Sequence, residues 1–405
     1  MSNIHPFRGV RPANHRAGEV IAPPYDVLSE TEARAIVAEK PNSFLRVTRS
    51  EVDLPEGSDS HSVESYQQAA VNLREFINNG NMIQDESACF YLYTQTWQGR
   101  TQRGLMALCD TAEYDENLIR KHELTRPDKE QDRTDHIQLL GAQTGLVFLT
   151  YRSGTESIDT AMAAAANVAP AWTVETDDSV VHSLSVIDSP ELIETLQAAF
   201  AHADALYIAD GHHRSAAASR VAKLRERAGT SGLFLTGIFP DNELQVMAYN
   251  RVVNDLNGLD ADQFMAAVGL DFQISETDTA LPPARGQFTM YIDGTWFLLS
   301  PRQGIVAEDV VGGLDVSVLQ ERILAPLLGI DNPRTNQRIT FVGGIRGAQE
   351  LERAVDGGAA AAFHMFPTGI DQLLDVADAN RLMPPKSTWF EPKLRGGVLV
   401  HLLDQ

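Results

Sequence analysis

Cysteine is nearly absent: only Cys89 and Cys109 occur among 405 residues. Two thiols in a chain this long exclude a disulfide framework and a thiolate zinc site, so both read as small core residues. Long apolar runs are missing as well. No segment approaches the roughly 18 apolar residues of a membrane span, and MSNIHPFRGV at the start lacks a basic region followed by an apolar stretch. The expectation is a soluble, cytoplasmic protein with no membrane partner. Basic residues are outnumbered, 33 against 55 acidic ones, for a formal net charge of -22. That balance works against loose association with DNA, RNA or anionic lipid, which depends on neutralising phosphates. A phosphate bound here belongs to a small ligand in a locally basic pocket. No G-x-x-x-x-G-K-[ST] loop occurs, and Ile339-Thr-Phe-Val-Gly-Gly344 enters a glycine turn without the full dinucleotide fingerprint. Internal repeats are absent too.

What is present suffices for two or three cores, with 43% hydrophobic residues over a length at which a single core stops growing. The pattern divides into an N-terminal α+β domain over 1–155, a central α/β unit over 156–258 and a C-terminal α+β domain over 259–405. Ser29 and Glu32 form a capping box for a helix ending before Pro41. Val20 to Ala22 and Phe44 to Val47 read as short strands, the latter with Arg46 on one face, and residues 50–62 as a mobile loop. Val63 to Asn79 keeps helical spacing, and Cys89 to Tyr93 and Arg103 to Cys109 flank Gln98-Gly99 as a hairpin. Further on, Val316 to Leu328 reads as a helix. The central stretch alternates strand and helix.

The focal stretch is Ala205 to Arg227, ALYIADGHHRSAAASRVAKLRER. Leu206 to Ile208 reads as a buried strand, and a helical pattern begins after Asp210-Gly211-His212-His213-Arg214. Such a junction favours an anion. Gly211 can take a backbone conformation closed to other residues, the first helical amides have no internal partners, and the helix dipole adds partial positive charge. Arg214 supplies a fork of donors suited to phosphate oxygens. His212 or His213 can handle a proton, and Asp210 is an acceptor, base or metal ligand.

Four other places carry chemistry. Pro23-Pro24 fixes a loop that presents Tyr25 and Asp26, which suits a carboxylate that must be held in place. Ile119 to His136 interleaves Lys121, Arg126, Lys129 and Arg133 with His122, Glu123, Asp132 and Asp135, a density suited to positioning a charged metabolite and to proton transfer. It is not a zinc-protease signature, because His122-Glu123 lacks a second histidine at helical spacing. Asn250 and Arg251 sit at a strand end. Met383-Pro-Pro-Lys-Ser-Thr delivers Lys386, Ser387 and Thr388 on a proline-set loop, with Lys393 and Arg395 following.

D-G-H-H-R before a small-residue helix resembles the phosphate-binding motif of the ParB/sulfiredoxin superfamily, in particular its free serine kinase branch. The whole chain resembles the DUF1015 family through His5-Pro-Phe-Arg-Gly-Val-Arg-Pro12, Ala22-Pro-Pro-Tyr-Asp-Val27, Lys121 to Lys129 with Asp132-Arg133, Asp210 to Arg214, Tyr249-Asn-Arg-Val-Val253 and Met383 to Lys393. The resemblance implies a mixed α+β chain with a ParB/sulfiredoxin-like central α/β unit, and serine or phosphoserine as substrate, in the direction of a nucleotide-dependent serine kinase or of phosphoserine dephosphorylation.

The expected function is phosphotransfer on a small hydroxy metabolite. Gly211 and Arg214 bind phosphate, Lys129 and Lys386 complete the cationic cradle, and Asp26 or Asp210 serves as base or metal ligand. Mg2+ and ADP or ATP are the expected cofactors. Two alternatives stand beside it: a nucleotide-sensing regulator, and a metal-dependent hydrolase built on His122, Glu123, His212 and His213 brought together in space.

Overall fold

The structure, a computed structural model, describes residues 3–404. Its chain forms two compact units, one drawn from Met1–Leu244 with Pro392–Gln405 and the other from Gln245–Glu391. The division expected at 155/156 does not hold as a boundary. Strands on both sides of it share one sheet, because the apolar strand Leu233–Pro240 pairs with both Val147–Tyr151 and Arg100–Asp110. The boundary expected at 258/259 lies inside the second unit, and the last residues return to the first.

The first unit is built on a mixed nine-stranded sheet. From edge to edge its order is Ile119–Arg120, Leu206–Asp210, Val147–Tyr151, Leu233–Pro240, Arg100–Asp110, Phe90–Trp97, Val181–Ile187 and Pro170–Glu175, with Ile4–His5 beside Arg100–Asp110. Central strands read as near-continuous apolar runs because both faces are covered. Leu105, Ala107, Leu149, Ile208 and Phe234 join Ile158 and Ala165 of helix Glu156–Ala166 and Leu196 and Phe200 of helix Pro190–Phe200 in one core. A second core packs Phe44, Leu45, Val47, Leu73 and Phe76 against Val10 and Val400.

Local expectations fare unevenly. The capping box of Ser29 and Glu32 starts helix Glu30–Glu39, and the hairpin about Gln98-Gly99 forms. Phe44 to Val47 is not a strand: Leu45–Thr48 is one helical turn, with Phe44, Leu45 and Val47 all buried and the Arg46 carbonyl accepting from Asn72. A four-residue apolar run fits either structure, and here packing on several sides chooses the helix. Val20 ends a short helix, Ala17–Val20, rather than opening a strand. The breaker-rich stretch at 50–62 begins with the 3-10 turn Ser50–Asp53, where buried Glu51 pairs with Arg49.

The second unit carries a six-stranded, wholly antiparallel sheet in the order Phe272–Glu276, Thr295–Pro301, Phe288–Ile292, Ala361–His364, Tyr249–Val253 and Ile339–Gly343. The expected helix over Val316 to Leu328 is α-helical only from Asp315 to Leu319 and continues as a π turn through Leu324. Among the described residues no helix is long and apolar enough to cross a membrane.

Candidate functional site

Strand Leu206–Asp210 ends in a bulge: its pairing with Val147–Tyr151 shifts register between Ile208 and Asp210. A bulge at a strand end re-aims the next side chains. Gly211 follows at φ +100 and caps helix His212–Leu224. The small residues after the motif explain the seat of that helix. Ser215, Ala217, Ala218, Ser219 and Ala222 are buried, and Ala217 and Val221 cluster with Ile137 of helix Pro127–Leu140 and with Leu403.

Arg214 leaves the first turn of the helix and folds back over the strand ends. Its Nη2 donates to Asp210 Oδ2 at 3.2 Å and its Nη1 donates to the Leu146 carbonyl. Gly145 and Gly211 give it room: a Cβ on either would stand 3.1 Å from an Arg214 side-chain atom. Burial pushes the Asp210 carboxyl up, but the cations of Arg214 and Lys393 outweigh it and hold the group down to about 2. Asp210 is therefore an anion locked to Arg214.

Arg214 shares a cavity of about 60 Å³ with Tyr25, Asp26, Arg133, Thr144, Gly145 and Arg395. Tyr25 and Asp26 lie on the 3-10 turn Tyr25–Val27 that follows Pro23-Pro24. Arg49 clamps this turn, donating to the carbonyls of Tyr25 (3.1 Å) and Leu28 (2.6 Å). The Arg133 guanidinium lies 4.6 Å from the centre of the Tyr25 ring and pairs with Asp132 at 2.6 Å. Burial raises the Tyr25 phenol, so it stays a neutral donor. Arg395 pairs with Asp178. Three guanidiniums, each held by a carboxylate partner, line this one small cavity.

The other expected residues are placed as follows. Arg46 pairs with Asp53 at 3.0 Å and does not line the cavity; Arg49, three residues on and missed in the sequence, supports the loop. Lys129 is exposed and also outside the lining. His213 Nε2 accepts from the Arg126 amide at 3.0 Å, which ties the turn to the start of helix Pro127–Leu140. Thr144 and Gly145 had no signal beyond a glycine before an apolar strand.

His122, Glu123 and His212 converge, with one ligand atom from each lying within 4.8 Å of the others. Of the four residues expected to meet, His213 is outside the cluster. So is Asp210, the expected metal ligand, because Arg214 already takes its carboxylate.

In the second unit, Asn250 Oδ1 accepts from the Met365 amide at 3.0 Å, and buried Arg251 donates to the carbonyls of Tyr249 and Lys386. Lys386, at φ +59, places its ammonium 5.5 Å from the centre of the Tyr249 ring. Ser387 donates to the Pro384 carbonyl at 2.7 Å, closing the turn that begins before Lys386 and leaving Thr388 partly buried after it.

Comparison with known proteins gives a family match: the model of the family described as "Protein of unknown function (DUF1015)" matches residues 4–317. No curated protein matches the chain in sequence. A comparison with solved structures gives matches at low similarity. Free serine kinase in complex with AMP is 11% identical, with 70% of this chain and 86% of that one covered and a TM-score of 0.36. A conserved hypothetical protein from Pyrococcus furiosus is 12% identical, covering 70% and 90%, with a TM-score of 0.35. C-terminally truncated SbnI from Staphylococcus aureus is 9% identical, covering 72% and 85%, with a TM-score of 0.39.

Proposed function

We propose that this chain, which belongs to the DUF1015 family, is an enzyme that transfers a phosphoryl group to or from the hydroxyl of a small metabolite, with serine or phosphoserine as its substrate. The observation that carries the reading is the cavity in which Arg133, Arg214 and Arg395 meet Tyr25 and Asp26. Its volume suits a phosphoryl group and its nearest atoms, since sites that enclose a whole metabolite span roughly 300–1,000 Å³. Serine and the nucleotide enter through the resemblance of D-G-H-H-R to the motif of free serine kinases.

Phosphoryl transfer asks a protein for positioning and for cations around the moving group. Arg214 and Arg133 offer guanidinium forks to the non-bridging oxygens. In the kinase direction the substrate hydroxyl oxygen attacks phosphorus. The bond from phosphorus to the donor's bridging oxygen breaks with its electron pair left on the donor, ADP or ATP, and the hydroxyl proton passes to the Asp26 carboxylate. With water as the attacking group and serine as the leaving group, the same residues carry out dephosphorylation, the proton that Asp26 takes from water passing to the leaving serine oxygen. Magnesium takes oxygen ligands, and Asp26 is the cavity carboxylate that would hold it; bound there, the ion would supply charge neutralisation on the phosphates. A small-molecule substrate in the cytoplasm, rather than a nucleic acid, agrees with the acidic chain.

The test is turnover of serine and of phosphoserine with ATP, ADP and Mg2+, read as phosphate-ester chemistry together with the ligand-induced shift in melting temperature. Asp26→Asn should lower the rate by ~10²–10⁴-fold. Full activity of the variant removes Asp26 as base. A nucleotide that stabilises the protein while nothing turns over replaces the enzyme with a nucleotide-sensing protein.

A further inference from the structure

The cluster of His122, Glu123 and His212 lies outside the lining of the phosphate cavity, and the transfer mechanism leaves it unused. His122 is 2% exposed and follows strand Ile119–Arg120, whose parallel partner is Leu206–Asp210. That pairing brings His122 beside the turn carrying His212: the His122 amide donates to His212 Nε2 at 3.5 Å, and the two rings meet edge to face with centroids 4.5 Å apart. The remaining hydrogen bond of the His122 ring runs to the Ile208 backbone, while His122 Nδ1 is buried with no hydrogen-bond partner.

A pair of packed neutral imidazoles accounts for the ring contact and leaves this nitrogen unexplained. A bond from the ring to a backbone carbonyl uses the ring N–H at Nε2. The tautomer is then fixed, and the lone pair sits on the buried, unpartnered Nδ1. Metal-binding histidines show this arrangement, the far ring nitrogen donating to a carbonyl or carboxylate and the near one ligating.

We propose that His122, Glu123 and His212 form a binding site for a divalent first-row transition metal ion, with Zn2+ the ion that suits them best. Two imidazoles and one carboxylate match such ions and do not match magnesium, which takes a shell of oxygens. Their ligand atoms lie within 4.8 Å of one another, and zinc holds such donors at bond lengths of about 2.0–2.2 Å. Three protein donors leave a fourth position for water or a ligand oxygen, the arrangement of a reactive rather than a purely structural zinc site. The site stands apart from the phosphate reading, and its test needs no turnover.

The experiment is equilibrium dialysis of the full chain against Zn2+ and against Co2+, with metal analysis and the visible absorption spectrum of the cobalt form. We expect a single equivalent of either ion and cobalt d–d bands, both kept in His15→Ala, which removes an exposed histidine, and both lost in His122→Ala and Glu123→Gln. Where His122→Ala does not fold, Glu123→Gln decides, because it changes a partly exposed side chain at constant size. No bound ion in wild type, loss of binding in His15→Ala, or an unchanged cobalt spectrum in folded His122→Ala or Glu123→Gln overturns the proposal.

Discussion

Arg214 sits between two glycines, and that explains more of the site than its charge does. Its guanidinium is a rigid fork, so its value to a phosphate depends on direction. The direction is set from behind by Asp210 and the Leu146 carbonyl, and from the sides by the space at Gly145 and Gly211. The positive φ at Gly211 is required by the turn, whereas Gly145 has no such backbone demand and is small only because Arg214 lies over it. Gly145→Ala should therefore shift the unliganded melting temperature little and weaken phosphoserine or ADP binding by up to about tenfold, the equivalent of one weakened charge-assisted hydrogen bond. Calorimetric titration beside thermal melting checks this, and unchanged affinity would mean that Arg214 is not directed by that glycine.

At the level of elements, the strand, turn and helix around D-G-H-H-R are legible in the sequence because each step has a local cause. A buried apolar run makes the strand, Gly211 makes the turn, and alanine and serine make a helix face that packs closely. The Tyr25–Asp26 loop is legible through its two prolines, and helix Glu30–Glu39 through its capping box. What is illegible depends on long-range partners. Arg49 and Arg46 look alike in sequence, yet one clamps the Tyr25 turn and the other is taken by Asp53. Phe44 to Val47 carries strand-forming residues but meets a core on several sides and coils. Nothing local ties His122 to His212 across 90 residues; the parallel pairing of two strands does. The turn itself gives a prediction: Gly211→Ala places a Cβ at φ +100 and 3.1 Å from Arg214, so unfolding stability should fall by about 1–2 kcal/mol or more. The denaturant midpoint reads this, and an unchanged midpoint would show that the turn relaxes to another conformation.

Over the whole molecule the expected three-part division gives way to two units, since domain edges follow strand pairing and not changes in composition. Both units contain buried imidazoles. Burial holds His122 and His364 at about 4 and His136, His182 and His401 at about 3. Folded, these rings stay neutral into that range; in the unfolded chain they take up protons near pH 6.5. The unfolded chain thus binds more protons as pH falls from about 6.5 towards 4. The stability present above 6.5 is lost across that window, by up to about 1.4 kcal/mol per unit of depression for each ring. Melting temperature should drop between pH 7 and pH 5, and an equal or higher value at pH 5 would contradict the burial of these rings.

The central claim is that a phosphate group is held in the Tyr25–Arg214 cavity by the directed fork of Arg214. Calorimetric titration of wild type and Arg214→Lys with ADP and with phosphoserine, in the presence of Mg2+, tests it most directly, because lysine keeps the charge and loses the fork. The account predicts affinity for at least one of these ligands weakened about tenfold or more in the variant, which still folds but melts at a lower temperature because the fork's bonds to Asp210 and the Leu146 carbonyl are lost. Equal affinity in the two proteins would place the phosphate elsewhere.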